Sequence, residues 1–381
     1  MSKFFRSSLS VLLVVFLAMA MVTPCFAVGN ASQSGWKSVS FTKTDDSSVS
    51  APRRGSAGLE DLDEIYSADE TVRVSIVLDD AATITKFPTE GIAANANAMS
   101  YRASLRTKQD SLAQRISALA LDGEELDVVW HLTLAANVIS ANVKYGRIGA
   151  IANVPGVRKV LVENRYEPQK AEESDKPANI GATEMTGATF VWGDYTGAGQ
   201  IVAIIDTGLD TDHRSFDPGA FEYAISTLQG EFDLLTKDDI AAVLKSLNVY
   251  DRNNSVTARK LYINSKAPFG YNYCDDNYDV THDNDDQGEH GSHVAGIAAA
   301  NRFVKKDGEY VDALAEVLTQ GEAPDAQILA MKVFGNNGGA YDSDYFAAVE
   351  DAIVLGASAA NLSLGSGSAG DSFDEYYQDV M

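Results

Sequence analysis

The stretch DDQGEHGSHVAGIAAA, residues 285–300, holds two of the chain's five histidines, His290 and His293. Both precede a run of Ala and Gly, and His290 opens what the composition predicts as a helix. An imidazole can act as a general base when an acceptor holds one ring nitrogen and leaves the other free. Asp206 is the candidate acceptor. It ends the apolar run Ile201–Ile205, and open α/β sheets bind ligands just beyond the carboxyl ends of their strands. An Asp that only caps the following turn also fits that position. The small residues Gly291, Ser292, Ala295 and Gly296 would let the helix lie close to the sheet. His293 shares the face of His290 only approximately, so it is expected to pack or hydrogen-bond internally in a structural role. Metal chemistry is the competing reading: His282, Glu289, His290 and His293, with Asp283, Asp285 and Asp286, offer ligands for zinc or calcium. The His-Glu-x-x-His spacing of zinc proteases is absent.

The elements around these residues fall into two groups. Val72, Val74, Ile76 and Leu78 alternate with other residues, as in a half-buried strand. Residues 96–121 contain no Pro or Gly and read as a helix. Strand patterns follow in LDVVWHLTL and NVISANVKY, then a short helix near 147–153, then the strand VRKVLVEN. The order β-α-β-β-α-β is the split βαβ, ferredoxin-like plan. From residue 180 onward, apolar runs at 201–205 and 327–334 and a strand at 359–364 alternate with helices at 290–300 and 342–355. That predicts an α/β fold with a parallel sheet. Residues 209–286 read as an acidic insertion with one helix in KDDIAAVLKSLN.

Acidic residues number 54 and basic ones 30, a formal net charge of −24. Such a charge repels nucleic acid and anionic lipid, so neither is an expected partner. The N-terminus has Lys3 and Arg6, an apolar run at 11–22 and small residues ending at Ala27, the pattern of a secretory signal. Lipid attachment at Cys25 is the alternative, which Pro24 disfavours. Apart from this segment no membrane association is expected, and the location is secreted or cell-wall-associated. With residues 1–27 removed, Cys274 has no disulfide partner, and nothing beside it marks it as a nucleophile. The expected divisions are signal 1–27, flexible leader 28–68, ferredoxin-like domain 69–168, linker 169–179 and parallel-sheet domain 180–381.

The motifs VAIIDTGLDTDH (202–213) and HGSHVAGIAAAN (290–301) resemble the aspartate and histidine motifs of the subtilisin-like serine proteases. MKVFGNNGGAYDSD (331–344) and AANLSLGS (359–366) resemble that family's two substrate-binding strands. Within the family, the long insertion is similar to that of the large Gram-positive cell-envelope proteinases of the lactocepin and C5a-peptidase type. The resemblance implies a peptide-bond hydrolase with Asp206 orienting His290. Gly338, Gly339 and Ala340 would pair with one edge of a peptide substrate, and Ser363, Leu364 and Gly365 with the other. The ferredoxin-like domain would be an α+β propeptide bound as the enzyme's own inhibitor. No cofactor is implied for catalysis, while a structural Ca2+ is allowed. The family's serine lies in a Gly-Thr-Ser-Met-Ala-type segment and its oxyanion asparagine in an Ala-Gly-Asn-type segment; neither occurs in these 381 residues. The sequence therefore reads as the N-terminal part of a zymogen, inactive by itself, with a non-catalytic pseudoprotease or inhibitor as the alternative.

Overall fold

Alternating apolar residues from Thr71 to Leu78 make β1, the centre of an antiparallel sheet. The computed structural model describes residues 66–166, 182–336 and 338–364. The expected signal segment, most of the leader, the linker and Gly365 lie outside them. After β1 (Thr71–Leu78) come α1 (Ala96–Ala120), β2 (Asp127–Leu132), β3 (Val138–Lys144), α2 (Ile148–Ala152) and β4 (Val157–Val162). The strand order is β2-β3-β1-β4, with each neighbouring pair antiparallel; this is the split βαβ arrangement. Asn95 caps α1 by accepting from the N–H groups of Asn97 and Ala98 at 3.1 and 3.2 Å. Ala98, Leu105, Leu112, Ile116 and Ala120 bury one stripe of that helix.

The second sheet is parallel. It contains β6 (Ile201–Asp206), β7 (Phe269–Asn272), β10 (Gln327–Lys332) and β12 (Ala359–Asn361) in the order β12-β6-β10-β7. Two helices matter for the site, α3 (His290–Ala299) and α4 (Asp342–Val354). Alternate strand residues join different apolar clusters. Ala203, Ile205, Leu329 and Met331 pack with Phe346, Ala347 and Ala348 of α4. Ile204, Ile328 and Ala330 pack with Ala295 and Ala299 of α3. The helices thus cover opposite faces, which is why these strands are apolar on both sides. By the same parity Asp206 and Lys332, paired in register at the ends of β6 and β10, belong to the face covered by α3.

The insertion adds more than the single expected helix. It supplies helices at Pro218–Thr227, Lys237–Val243, Asn248–Arg252 and Ala258–Leu261, then β7, a fully buried strand pairing with β10. A hairpin of β8 (Phe303–Lys306) and β9 (Glu309–Asp312), also unexpected, turns at Asp307-Gly308. Two short strands, β5 (Arg165–Tyr166) and β11 (Ala340–Tyr341), form an antiparallel pair linking the two halves. One apolar cluster spans both halves, with Trp130 and Leu134 from the first and Tyr273, Phe334 and Phe346 from the second. Among the described residues no helix is long and apolar enough to cross a membrane.

Candidate active site

Asp206 is 1% exposed at the end of β6. His290, the first residue of α3, donates its Nδ1 proton to Asp206 Oδ1 at 2.7 Å. That bond fixes the tautomer and leaves Nε2 available, on an imidazole whose side chain is 19% exposed. The hydrogen bond to Asp206 holds the His290 pKa above its ordinary value, against partial desolvation. Asp206 Oδ1 also accepts the Thr207 N–H at 2.7 Å. The other oxygen, Oδ2, is buried with no hydrogen-bond partner among the described residues.

Small residues make this approach feasible. The N–H of Gly291 donates to Thr207 Oγ1 at 2.9 Å, and a Cβ on Gly291 would fall on the carbonyl oxygen of Gly208. Gly208 itself has φ of 122°, a left-handed conformation that suits glycine. Ser292 Oγ accepts from the Asp210 N–H at 2.7 Å, fixing the chain just past the strand.

His293, expected to pack or hydrogen-bond internally, is exposed on α3. The metal reading also named His282, Glu289 and Asp285. His282 lies 3.5 Å from Glu289, and Asp285 pairs with Lys332 at 2.9 Å. Among the described residues no group of three or more His, Cys, Asp or Glu is arranged to hold a metal ion.

The segments expected to line a substrate flank the end of β6 on both sides. Gly338 is tied to Gly335 by paired backbone hydrogen bonds of 2.9 and 3.2 Å, and Gly339 and Ala340 are buried. Ala340 pairs with Tyr166 and Tyr341 with Arg165, so the chain's own β5 lies along this edge. Arg165 presses so closely on Gly338 that a Cβ there would overlap its guanidinium. Ser363 and Leu364 follow β12 and are half-buried. The Ser363 hydroxyl donates to Asn361 Oδ1 at 3.0 Å, and Gly365 falls outside the described residues.

Sequence reasoning missed the carboxylates that join the two halves. Glu350 of α4 is 0% exposed, and its Oε1 accepts the N–H groups of Leu134, Ala135 and Ala136 at 2.8, 2.7 and 3.3 Å. Glu163 Oε2 accepts from the Ser343 hydroxyl at 2.7 Å and the Ser343 N–H at 3.2 Å, at the start of α4. Asp342 accepts from the Asn164 N–H at 2.6 Å and the Tyr166 hydroxyl at 3.0 Å. Burial, and then the Glu163 charge, push the Asp342 carboxyl up to about 8. Lys332, buried beside Asp206, was also passed over. A lysine inside the apolar run QILAMKVF was the signal, since such a charge is buried only with partners.

Comparison with known proteins supplies the family. Residues 197–380 match the profile of Peptidase S8, the subtilase family. The PI-type proteinase of Lactococcus lactis subsp. cremoris is 32% identical over 245 residues, covering 63% of this chain and 11% of that protein. The C5a peptidase of Streptococcus pyogenes serotype M3 is 30% identical over 216 residues, covering 56% of this chain and 15% of the relative. The minor extracellular protease Vpr of Bacillus subtilis is 29% identical over 202 residues, covering 51% and 18%. This chain therefore spans 11–18% of the length of these three relatives. With the parallel sheet and the matched segment, residues 197–380 are a domain of the subtilase family.

Proposed function

We propose that the chain belongs to the zymogen of a secreted serine endopeptidase, in which residues 69–168 act as a bound inhibitory propeptide. The observation that carries this reading is the 2.7 Å bond from His290 Nδ1 to Asp206 Oδ1 at the carboxyl end of β6. In such a site His290 Nε2 takes the proton from a serine hydroxyl as the oxygen attacks a peptide carbonyl, and later returns it to the departing amine. Asp206 holds the ring and offsets the charge of the imidazolium. The peptide adds as a strand to the 338–340 edge and lies against 363–365. The inhibitory role is supported by β5 on β11, where the chain's own backbone occupies the edge a substrate would use. Secretion is supported by the N-terminal apolar segment and by similarity to a protease named as extracellular.

The experiment is labelling with a serine-directed phosphonate, alongside peptide hydrolysis. Protein made from the complete reading frame should label and cleave, and His290→Ala should lose turnover by ~10⁶-fold. Residues 28–381 alone, with no Gly-Thr-Ser segment, should neither label nor cut between residues 165 and 180. A complete protein that fails to label would favour a non-catalytic inhibitor. Self-cleavage by residues 28–381 would refute the assignment of the nucleophile.

A further inference from the structure

We infer that Lys332 is a positioning residue for the Asp206–His290 pair, acting through Thr207 and Asp285. This deepens the protease reading and rests on it.

Lys332 ends β10 directly opposite Asp206 in the register of the parallel pair. It lies on the face of the sheet that α3 covers, and it is 1% exposed. Its ammonium has two anchors. One is the carbonyl oxygen of Thr207, to which Nζ donates. The other is Asp285 Oδ2 at 2.9 Å, on the loop that leads into His290.

Thr207 is therefore held at three points. Its N–H donates to Asp206 Oδ1, its Oγ1 accepts from Gly291 N–H, and its carbonyl accepts from Lys332. The first bond aims the carboxylate, and the second seats the first turn of α3. The third stops the peptide from turning away. Asp285, the lysine's other anchor, restrains the loop five residues before the imidazole. A buried lysine is costly unless such partners are present. Here both partners belong to the two segments that carry the acid and the base. The Gly208 position confirms the tight fit: a Cβ there would meet Val280 O and sit against Lys332 Cδ.

Asp206 contacts the imidazole directly; Lys332 lies opposite Asp206 in the strand register and pairs with Asp285 on the preceding loop, while Glu289, next to His290 in the chain, pairs with His282. Removing the lysine's positive charge by itself would raise the His290 pKa. Loosening the Asp206–His290 bond would lower it. The sign of the change separates positioning from a plain charge effect.

The test is NMR titration of the five histidines in the full chain, with the low-field Nδ1 proton of His290 as a second signal. In Lys332→Met the His290 pKa should fall by ~0.5 unit or more toward the ordinary value. The low-field proton should broaden or vanish, while His131 and His213 stay unchanged. If Lys332→Met does not fold, Asp285→Asn, which keeps the side-chain volume, should broaden the same proton. A folded variant with the proton intact and the pKa unchanged or raised would overturn the inference. Asp206→Asn is the control. If it leaves His290 unmoved, the Asp206–His290 pairing fails; if it lowers the pKa while Lys332→Met does not, only the role of Lys332 fails.

Discussion

Glu350 and Ala135 meet across the junction of the two sheets: the buried carboxylate accepts the Ala135 N–H at 2.7 Å. The same carboxylate takes the neighbouring N–H groups of Leu134 and Ala136, and Asn248 Nδ2 at 3.1 Å and Arg102 Nη2 at 3.4 Å supply further donors. Truncating it strands several buried donors together with part of the Arg102 charge. Glu350→Ala should cost about 3 kcal/mol, in line with breaking one side of a buried charged network. Urea unfolding would read this, and a change within about 0.5 kcal/mol would show that water replaces the carboxylate.

Two buried aspartates of α4, Asp342 at this junction and Asp351 deeper in the second half, make stability depend on pH. Asp342 is held at about 8, by burial first and Glu163 next, and Asp351 at about 7, chiefly by burial. An unfolded Asp titrates near ~4. The folded chain therefore keeps protons that the unfolded chain gives up. The contribution is complete below about pH 4 and is lost as pH rises through 7 to 8. The melting temperature should fall between pH 5 and 8.5, and Asp342→Asn should flatten that slope. Parallel slopes for parent and variant would refute this.

Gly291→Ala tests the close seating of α3. The new methyl would fall on the Gly208 carbonyl, so the helix must move away from β6. We expect a loss of about 2 kcal/mol, typical of overpacking, and a His290 pKa that moves down toward normal. Thermal melts and histidine titration would both show it, and a variant that matches the parent in both would rule it out.

Cys274 should be inert in the folded chain. Burial, followed by Asp344 and Asp275, pushes its thiol up to about 12, and Sγ lies 3.7 Å from the Gly338 carbonyl. At pH 8 iodoacetamide should alkylate it on the order of 10³-fold more slowly than in urea, because only the thiolate reacts. Peptide mass spectrometry would follow the site, and equal rates in the two states would contradict the stated environment.

The sequence was most readable where one physical rule dominated. Continuous apolar runs marked β6 and β10, because both faces of those strands are covered. The small residues after His290 announced the close helix, and Gly291 is where that closeness is enforced. The insertion was less legible. Phe269–Asn272 is short and contains Gly and Asn, so its strand character comes from pairing with β10 rather than from its own preference. The β8–β9 hairpin was missed although Asp307-Gly308 carries the usual turn signal, with φ of 50° and 93°. The junction carboxylates were hidden for another reason. Glu163, Asp342 and Glu350 look like surface acids until distant segments bring amides and hydroxyls to them.

Two buried aspartates of α4 mean that the formal charge of −24 overstates what the folded chain carries near neutrality. Asp342 and Asp351 retain much of their hydrogen there. Denaturation at pH 7 should accordingly acidify a weakly buffered solution. Its calorimetric heat should then differ between phosphate and Tris in proportion to the ionisation enthalpies of the two buffers.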